Sequence, residues 1–335
     1  MRKSTILEMN LSDAQVEDEE RTLLGERGIP HFGSTADPIT PEVFTRPVMV
    51  WCEPLNRFPQ NIFLVRIGGV MIVGRKLMSE RHVAGELFEL HCSAITASHV
   101  LGVFDGFHHS ESEISVSYLP YLDSERRGAI SEIAASPLTE IVFPFVYLEH
   151  GRERTSPVKG WSLDVERAEN LGRGESDLRD FSVRILKSLG DGPHTLFDPA
   201  CSTGQFLGEL KAASPTSTTI GQDLSSEMVA YARAFVDQVH HGDAVRPVIP
   251  DGSASAVFCR FLNSEVVTTA AARGLVDRLR RVVAPQGLLV VFGHTPVLVR
   301  GTEIIGSADF EMIRANGATP SGSSVFQYYV ARRIR

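Results

Sequence analysis

The sequence predicts an α/β fold for the C-terminal half of the chain, preceded by a separate α+β region. Between about residues 176 and 293, short apolar segments typical of strands alternate with amphipathic segments typical of helices. This order favours a parallel sheet covered by helices on both faces. Between about residues 46 and 154, strand-like and helix-like segments follow one another without that alternation. A chain of 335 residues is long enough for two such domains.

The N-terminal part divides into an arm and a domain. Residues 1–40 are polar and acidic, and we expect them to form an arm, which is either mobile or a contact in a dimer. Residues 41–160 form the predicted α+β domain, which we assign to substrate selection or dimerisation because it contains no nucleotide-binding motif. Its predicted strands are PVMVWC, NIFLVRIGGVMIVG, EISVSYLPYL and TEIVFPFVYLEHG, and its predicted helices are GELFELHCSAITASHVLGVF and SERRGAISEIAAS.

The C-terminal domain, residues 175–335, follows a linker that is rich in glycine and charge. The helix SDLRDFSVRILKSLG opens it, with Ser176 as the N-cap and Gly190 as the stop. The strands and helices that then alternate are HTLFDPA, QFLGELKAA, TTIGQDL, SSEMVAYARAFVDQV, SAVFCRF, AARGLVDRLRRVVA and GLLVVFGH. No helical crossover precedes the last strand, SVFQYYVARR, so we expect that strand to be antiparallel.

The composition argues against several classes of function. A net charge of −8 disfavours a general nucleic-acid binder, which needs a basic face for phosphates. No apolar run approaches the roughly 18 residues that span a bilayer, and no apolar segment follows the basic start, so we expect neither a membrane span nor a signal peptide. The four cysteines form no CxxC pair, which favours a reducing cytoplasm. We expect no metal site, since no ligand spacing surrounds His91, His108 or His109.

The turn in FDPACSTGQFL is the first segment that carries chemistry. Asp198 leaves a strand, small residues follow, and Gly204 precedes a helix. The turn lacks both the GxGxxG of dinucleotide sites and the GxxxxGK[ST] of phosphate loops, so its ligand carries no phosphate chain. We expect the Asp198 carboxylate to attract a cationic ligand, such as an ammonium or a sulfonium, and Gly204 to let the backbone approach it.

Acidic residues also follow the next two predicted strands. Asp223 comes 19 residues after Gly204, at the position where a carboxylate accepts hydrogen bonds from ribose hydroxyls. Asp243 follows the third strand after a tight turn, where a carboxylate can accept from an adenine amino group. The carboxyl ends of parallel strands meet at one edge of a sheet, which is where ligands bind in such folds. The alternative for Asp198 is to cap the following turn, and the alternative for Asp243 is a simple turn role.

The segments FDPACSTG, GQDLSSEM, HGDA, SAVFCRFLNSE and APQGLLVVFGH resemble, in order and spacing, a class I S-adenosylmethionine-dependent methyltransferase of the small-molecule type. The resemblance implies a Rossmann-like seven-stranded sheet with an antiparallel last strand, S-adenosylmethionine as cofactor and S-adenosylhomocysteine as product. It places Asp198 and Gly204 along the methionine part, Asp223 at the ribose, and Asp243 with Ala244 at the adenine. The residues assigned to cofactor binding are Asp198, Pro199, Ala200, Gly204, Asp223, Leu224, Gly242, Asp243, Ala244 and Phe261.

The turn departs from that family. The family commonly has GxGxG where this chain has ACSTG, a form that also resembles amino methyltransferases acting on DNA. Those enzymes carry (N/D)PP(Y/F) after the fourth strand, where this chain reads FLNSE. Together with the acidic net charge, this favours a small-molecule substrate. The expected partners are that substrate and a second copy of the chain, with no nucleic acid and no membrane.

Residues near the last two strand ends are the candidates for catalysis. A histidine side chain can accept a proton near neutral pH, so His294 is our first candidate for a general base, with Glu265 second. The alternative for His294 is a structural hydrogen bond at the end of a strand. Asn263, Arg260 and Tyr118 are candidates for binding the substrate. Asn263 and Glu265 could equally cap a helix, and Tyr118 could be a core residue or line the wall of the pocket. A buried Arg260 would need a carboxylate partner, for which the substrate is one source.

The predicted function is methyl transfer to an N, O or C nucleophile of a metabolite, with secondary metabolism as the setting. The alternative is a non-catalytic protein that binds S-adenosylmethionine or S-adenosylhomocysteine, or acts as a scaffold. A nicotinamide-dependent oxidoreductase is disfavoured by the missing GxGxxG.

Overall fold

The computed structural model describes residues 5–8, 46–54, 61–76, 78–83, 86–91, 94–146, 148–149, 152–153, 155, 176–263, 266–293, 296–306 and 308–335. The chain forms two compact units. The first contains Met1–Glu153, His294–Pro296 and Asn316–Phe326, and the second contains Arg154–Gly293, Val297–Ala315 and Gln327–Arg335. The predicted boundaries at residues 160 and 175, and most of the predicted arm, lie outside the described residues.

The first unit is built mainly of antiparallel strands. Its elements are β1 (Thr5–Glu8), β2 (Met49–Pro54), β3 (Ile62–Ile67), β4 (Val70–Arg75), β5 (Met78–Val83), β6 (Glu86–His91), β7 (Ile95–Thr96), β8 (Val100–His109), β9 (Glu113–Pro120), α1 (Asp123–Ala135), β10 (Ile141–Val142), β11 (Leu148–Glu149) and β12 (Arg152–Glu153). A six-stranded sheet has the order β10-β3-β4-β8-β9-β2, and β1-β6-β5 and β11-β12 form two smaller sheets. The core of α1, including Ala129, Ile130 and Ile133, packs in one cluster with residues of β3 and β4.

One predicted helix of this region is wrong. The segment GELFELHCSAITASHVLGVF contributes strands β6, β7 and β8 and a 3-10 helix, Ala97–His99. Residues of β8 pair with β4 on one side and with β9 on the other. Its apolar spacing fits a helix, but β-branched and aromatic residues also fit a paired strand, and long-range pairing decides between the two. The predicted helix SERRGAISEIAAS is confirmed as part of α1.

His99 is a buried titratable residue of the first unit, with 1% of its surface exposed. Its Nδ1 accepts a hydrogen bond from the backbone N–H of Thr96 at 2.9 Å, so the proton of the neutral ring lies on Nε2. Burial, and then the nearby charges of Lys76 and Arg75, lower the pKa of His99 to about 3. The folded protein therefore holds this ring neutral at all ordinary pH values.

The neutral state of His99 predicts a pH dependence of stability. In the unfolded chain a histidine titrates near pH 6.5, so the unfolded state binds the extra proton between pH 6.5 and about 3. Stability from this group is complete above pH 6.5 and falls as the pH decreases. We expect a loss of about 2 kcal/mol between pH 8 and pH 5. Urea unfolding of the full chain at both pH values measures it, and His99→Asn should remove that part of the loss. An unchanged difference in the variant would refute the assignment.

The second unit contains alternating helices and strands. Its elements are α2 (Ser176–Lys187), β13 (Thr195–Asp198), α3 (Gln205–Ala213), β14 (Thr218–Asp223), α4 (Ser226–Ala232), β15 (Gln238–His241), β16 (Ala254–Cys259), α5 (Thr269–Val282), β17 (Val283–Phe292), α6 (Gly301–Ile305) and parts of β18 (Phe310–Ala318) and β19 (Ser324–Arg333). Within the described residues no helix is both long and apolar enough to cross a membrane.

The sheet of these strands confirms the predicted fold class. Its order is β15-β14-β13-β16-β17-β19-β18. The pairs from β15 to β17 are parallel, and β19 runs antiparallel to β17, as expected for the last strand. An eighth strand, β7, pairs with the first residues of β19. The paired residues of both strands belong to the first unit. The strand order reverses at β13, which lies between β14 and β16, so the carboxyl ends of these three strands form the topological switch point.

The local sequence explains how these elements hold their places. Residues at the centres of β13, β16 and β17 are fully buried, as expected for strands covered on both faces. Helix α4 begins where predicted, because the Ser225 hydroxyl caps it by accepting from the backbone N–H of Met228 at 3.3 Å. It ends at Ala232, earlier than the apolar pattern suggests.

Candidate functional site

Polar side chains gather at the carboxyl ends of the strands around the switch point. Asp198 ends β13, Asp223 ends β14, and Arg260 directly follows β16. Asp243 lies two residues beyond β15. The charges of Asp223 and Arg260 both act on the carboxyl group of Asp198. Three residues that are far apart in sequence therefore form one electrostatic cluster within the second unit.

The turn between β13 and α3 is tied to the neighbouring strand β14. The Asp198 carboxylate accepts from the backbone N–H of Ala200 at 3.0 Å. The N–H of Cys201 donates to the carbonyl of Gln222 at 2.8 Å, and the N–H of Ser202 donates to the Asp223 carboxylate at 2.9 Å. These bonds fix the turn against the end of β14.

Gly204 closes this turn at the N-cap of α3, with a φ of +75°. A Cβ added there would lie 2.8–2.9 Å from atoms of Ala232 and Val236. A side chain would therefore clash with α4 and with the segment after it, in a backbone conformation that already favours glycine. We expect from the sequence that Gly204 makes room for a ligand. The structure shows that packing against α4 requires a glycine here whether or not a ligand is bound.

Asp198 and Arg260 form a buried ion pair. The Nε of Arg260 donates to the Asp198 carboxylate at 3.1 Å, and the exposed fractions of the two side chains are 13% and 0%. Burial raises the pKa of the Asp198 carboxyl, and the Arg260 guanidinium opposes that rise. The predicted carboxylate partner of Arg260 is thus Asp198, supplied by the chain itself.

The Arg260 guanidinium is also held by its other neighbours. It lies 4.7 Å from the ring centre of Phe206, in the first turn of α3, an arrangement that favours a cation–π contact. Its Nη2 lies 3.5 Å from the carbonyl oxygen of Cys201. The plane of the guanidinium is therefore fixed between the turn and α3.

Asp223 is partly exposed, and backbone groups fix its carboxylate. One oxygen accepts from the N–H of Ser225 at 2.8 Å, and the other accepts from the N–H of Ser202 at 2.9 Å. Burial raises the pKa of the Asp223 carboxyl, and these two N–H groups oppose the rise. A carboxylate oxygen has two lone pairs, so each can accept one further bond, for example from a hydroxyl. The side chain of Leu224 beside it is 50% exposed, which offers an apolar surface.

Asp243 is exposed, and Gln222 positions the loop that carries it. The Asp243 carboxylate accepts from the N–H of Val245 at 3.0 Å. The fully buried amide of Gln222 donates to the carbonyls of Asp243 and Arg246 at 2.7 and 3.1 Å, and accepts from the N–H of Val248 at 3.0 Å. Sequence reasoning missed Gln222 and Ser202. The signal for Gln222 was a polar residue inside an otherwise buried strand, directly before the ribose-site acid.

The remaining predicted site residues have different locations. Pro199 and Phe261 are buried near the switch point, and Gly242 and Ala244 flank Asp243. Asn263 is 3% exposed, and its carbonyl accepts from the N–H groups of the residues at 266 and 267. Tyr118 lies in a buried apolar cluster of the first unit, where burial raises the pKa of its phenol. His294 and Glu265 lie outside the described residues, so their catalytic roles stay predictions.

The chemistry of these groups fits the predicted cofactor. The partly exposed Asp223 can accept two hydroxyl protons, as a ribose diol requires. With Asp198 and Asp223 ionised and Arg260 protonated, the cluster carries a net charge of one negative unit. A sulfonium amino acid carries a net positive charge, so the two are complementary. Within the described residues, no group of three or more histidine, cysteine, aspartate and glutamate side chains is arranged to hold a metal ion.

Comparisons with known proteins find matches that include the region of this site. A family model described as a methyltransferase domain matches residues 197–287, which include the turn and the strand ends. The chain is 36% identical over 281 residues to isonocardicin synthase from Nocardia uniformis subsp. tsuyamanensis, covering 82% of this chain and 92% of that protein. It is 33% identical over 116 residues to demethylmenaquinone methyltransferase from Deinococcus radiodurans, covering 33% of this chain and 47% of that protein.

A solved structure also resembles part of the chain. It is SAM-bound CalS10, an amino pentose methyltransferase from Micromonospora echinaspora, which is 19% identical with a TM-score of 0.40. The likeness covers 51% of this chain and 98% of that protein.

Proposed function

The chain belongs to the class I S-adenosylmethionine-dependent methyltransferases, with S-adenosylmethionine as its cofactor, and on that premise we propose that it methylates an N, O or C nucleophile of a small metabolite. The observation that carries the proposal is Asp223, a partly exposed carboxylate held by two backbone N–H groups at the carboxyl end of β14. This is the position at which such folds bind a ribose. When bound, the cofactor supplies a methyl group already activated on a sulfonium.

The protein's own part in the reaction is alignment and proton removal. Bringing the acceptor into line with the methyl carbon and excluding water supply much of the rate enhancement. An acceptor that loses a proton needs a base, for which we propose His294 and then Glu265. Asn263 is the proposed substrate contact at the end of β16. We assign selection of the acceptor to the first unit, including Tyr118, and dimerisation to the same unit.

The class of acceptor rests on the relatives. The relative that is 36% identical is named for the synthesis of isonocardicin, and this supports a small compound of secondary metabolism as the substrate. It also supports an enzyme over a non-catalytic scaffold. The cytoplasm is the proposed location.

The test is to identify the nucleoside product. A sulfonium carries three carbon substituents, and the nucleoside left behind shows which of them was transferred. The full chain is incubated with S-adenosylmethionine and a panel of phenols, amines and amino sugars, and the nucleosides are separated by chromatography. Acceptor-dependent S-adenosylhomocysteine supports methyl transfer. Acceptor-dependent 5′-methylthioadenosine would show transfer of the aminocarboxypropyl group instead and would overturn the proposal.

A further inference from the structure

We propose that Arg260 binds the α-carboxylate of the cofactor's amino-acid end, and that Asp198 is the positioning residue that holds Arg260 in place. This assigns Arg260 to the cofactor, where the sequence suggested the substrate, and it rests on the proposed function through the identity of the cofactor. Three features of the site support it, namely the direction of the cofactor along the strand ends, the burial of the pair, and the geometry of the guanidinium.

The strand order gives the direction. Asp243 follows β15 and Asp223 ends β14, so a nucleoside with its ribose on Asp223 and its adenine on Asp243, as the resemblance implies, has its base toward β15. The next strands in the sheet are β13 and β16, whose ends carry Asp198 and Arg260. The part of the cofactor beyond the ribose, which is the amino acid, must therefore run over this pair.

Burial decides which member of the pair meets the ligand. Asp198 has none of its surface exposed, and its carboxylate is occupied by Arg260 and by the N–H of Ala200. Arg260 keeps 13% of its side chain exposed, so it is the member that reaches the surface of the site. A carboxylate in direct contact with the ligand's ammonium, as expected from the sequence for Asp198, does not fit this burial.

The guanidinium is oriented before any ligand arrives. Its Nε bond to Asp198, its Nη2 contact with the Cys201 carbonyl and the ring of Phe206 beneath it define the plane. A planar guanidinium of fixed orientation is suited to a carboxylate, with which it forms directional, charge-assisted hydrogen bonds. The negative charge of Asp198 can still attract the ligand's ammonium without direct contact, and the charge of Asp223 adds to this attraction.

Two nucleosides that differ in the amino-acid end test the proposal. S-adenosylhomocysteine carries the α-carboxylate, and 5′-methylthioadenosine lacks the whole amino-acid group. Isothermal titration of the full chain with each gives two dissociation constants for the wild type, Arg260→Gln and Arg260→Lys. Arg233→Gln is the matched control, because Arg233 is an exposed arginine at the C-terminal end of α4.

We expect Arg260→Gln to weaken S-adenosylhomocysteine binding by about 10- to 100-fold, as a charge-assisted hydrogen bond would, and to change 5′-methylthioadenosine binding by less than about 3-fold. Arg260→Lys keeps the charge without the planar fork and should lose about 10-fold for S-adenosylhomocysteine. Arg233→Gln should leave both constants unchanged. Asp198→Asn with Arg260→Gln removes both charges, should remain folded, and should show the same selective loss.

Other outcomes overturn the assignment. An equal loss for both nucleosides would give Arg260 a structural role only, and no loss for either would give it no role in binding. If the wild type binds neither nucleoside, the proposed function fails, and the assignment of Arg260 fails with it. If the wild type binds S-adenosylhomocysteine and Arg260→Gln shows no selective loss, only the assignment of Arg260 fails. A double variant that folds and still prefers S-adenosylhomocysteine as strongly as the wild type would also refute the proposal.

Discussion

Replacing Asp223 with alanine will lower the affinity for S-adenosylhomocysteine by about 100-fold or more. The carboxylate is the proposed acceptor for both ribose hydroxyls, and hydrogen bonds to a charged group contribute about 1.5–3 kcal/mol each. The variant also removes the acceptor of the Ser202 and Ser225 N–H groups, which fix the turn and the start of α4. Both effects act in the same direction on binding. Isothermal titration of the full chain measures the loss.

Glu227→Ala is the control for Asp223→Ala, since Glu227 is an exposed acid in the first turn of α4. It should bind within about 3-fold of the wild type. Thermal unfolding of each variant tests whether the chain is still folded. A folded Asp223→Ala protein with wild-type affinity would place the ribose elsewhere and remove the main support of the proposed function.

Replacing Arg260 with glutamine will destabilise the protein by about 3–5 kcal/mol near neutral pH, because Asp198 is then a buried carboxylate without its cation. Burial already raises the pKa of Asp198, and loss of Arg260 raises it further. A carboxyl whose pKa is higher in the folded than in the unfolded state lowers the stability of the folded protein as the pH rises from the unfolded pKa through the folded pKa. The destabilisation should therefore be larger at pH 8 than at pH 5. Urea unfolding at both pH values measures it.

The double variant Asp198→Asn with Arg260→Gln removes the unpaired charge, so it should recover most of the lost stability. Asp198→Asn alone leaves a partly exposed arginine and should cost less than Arg260→Gln. Equal stability of Arg260→Gln and the wild type at pH 8 would mean that the ion pair does not hold the two strand ends together.

Much of the second unit could be predicted from the sequence, because alternating strand and helix patterns are local signals. The order of acids behind β13, β14 and β15 also follows from the sequence once a parallel sheet is assumed. The ion pair of Asp198 and Arg260 does not, because the two residues are 62 positions apart and only the pairing of β13 with β16 brings them together.

Two other features show the same limit of local reasoning. From the sequence we expect Gly204 to let the backbone approach a ligand, while the structure shows that α4 fills the space where its Cβ would be. The segment that becomes β6 to β8 has apolar spacing that a helix would also satisfy, and the pairing of β7 with β19 and of β8 with β4 decides the outcome. In both cases the deciding neighbour lies far along the chain.

A crystal structure of the full chain with S-adenosylhomocysteine would test directly whether the cofactor binds across the ends of β13, β14 and β16. We expect both ribose hydroxyls within hydrogen-bond distance of the Asp223 carboxylate, the adenine toward Asp243, and the α-carboxylate on the Arg260 guanidinium. A nucleoside bound away from the ends of β13, β14 and β16, or one whose ribose does not contact Asp223, would contradict it.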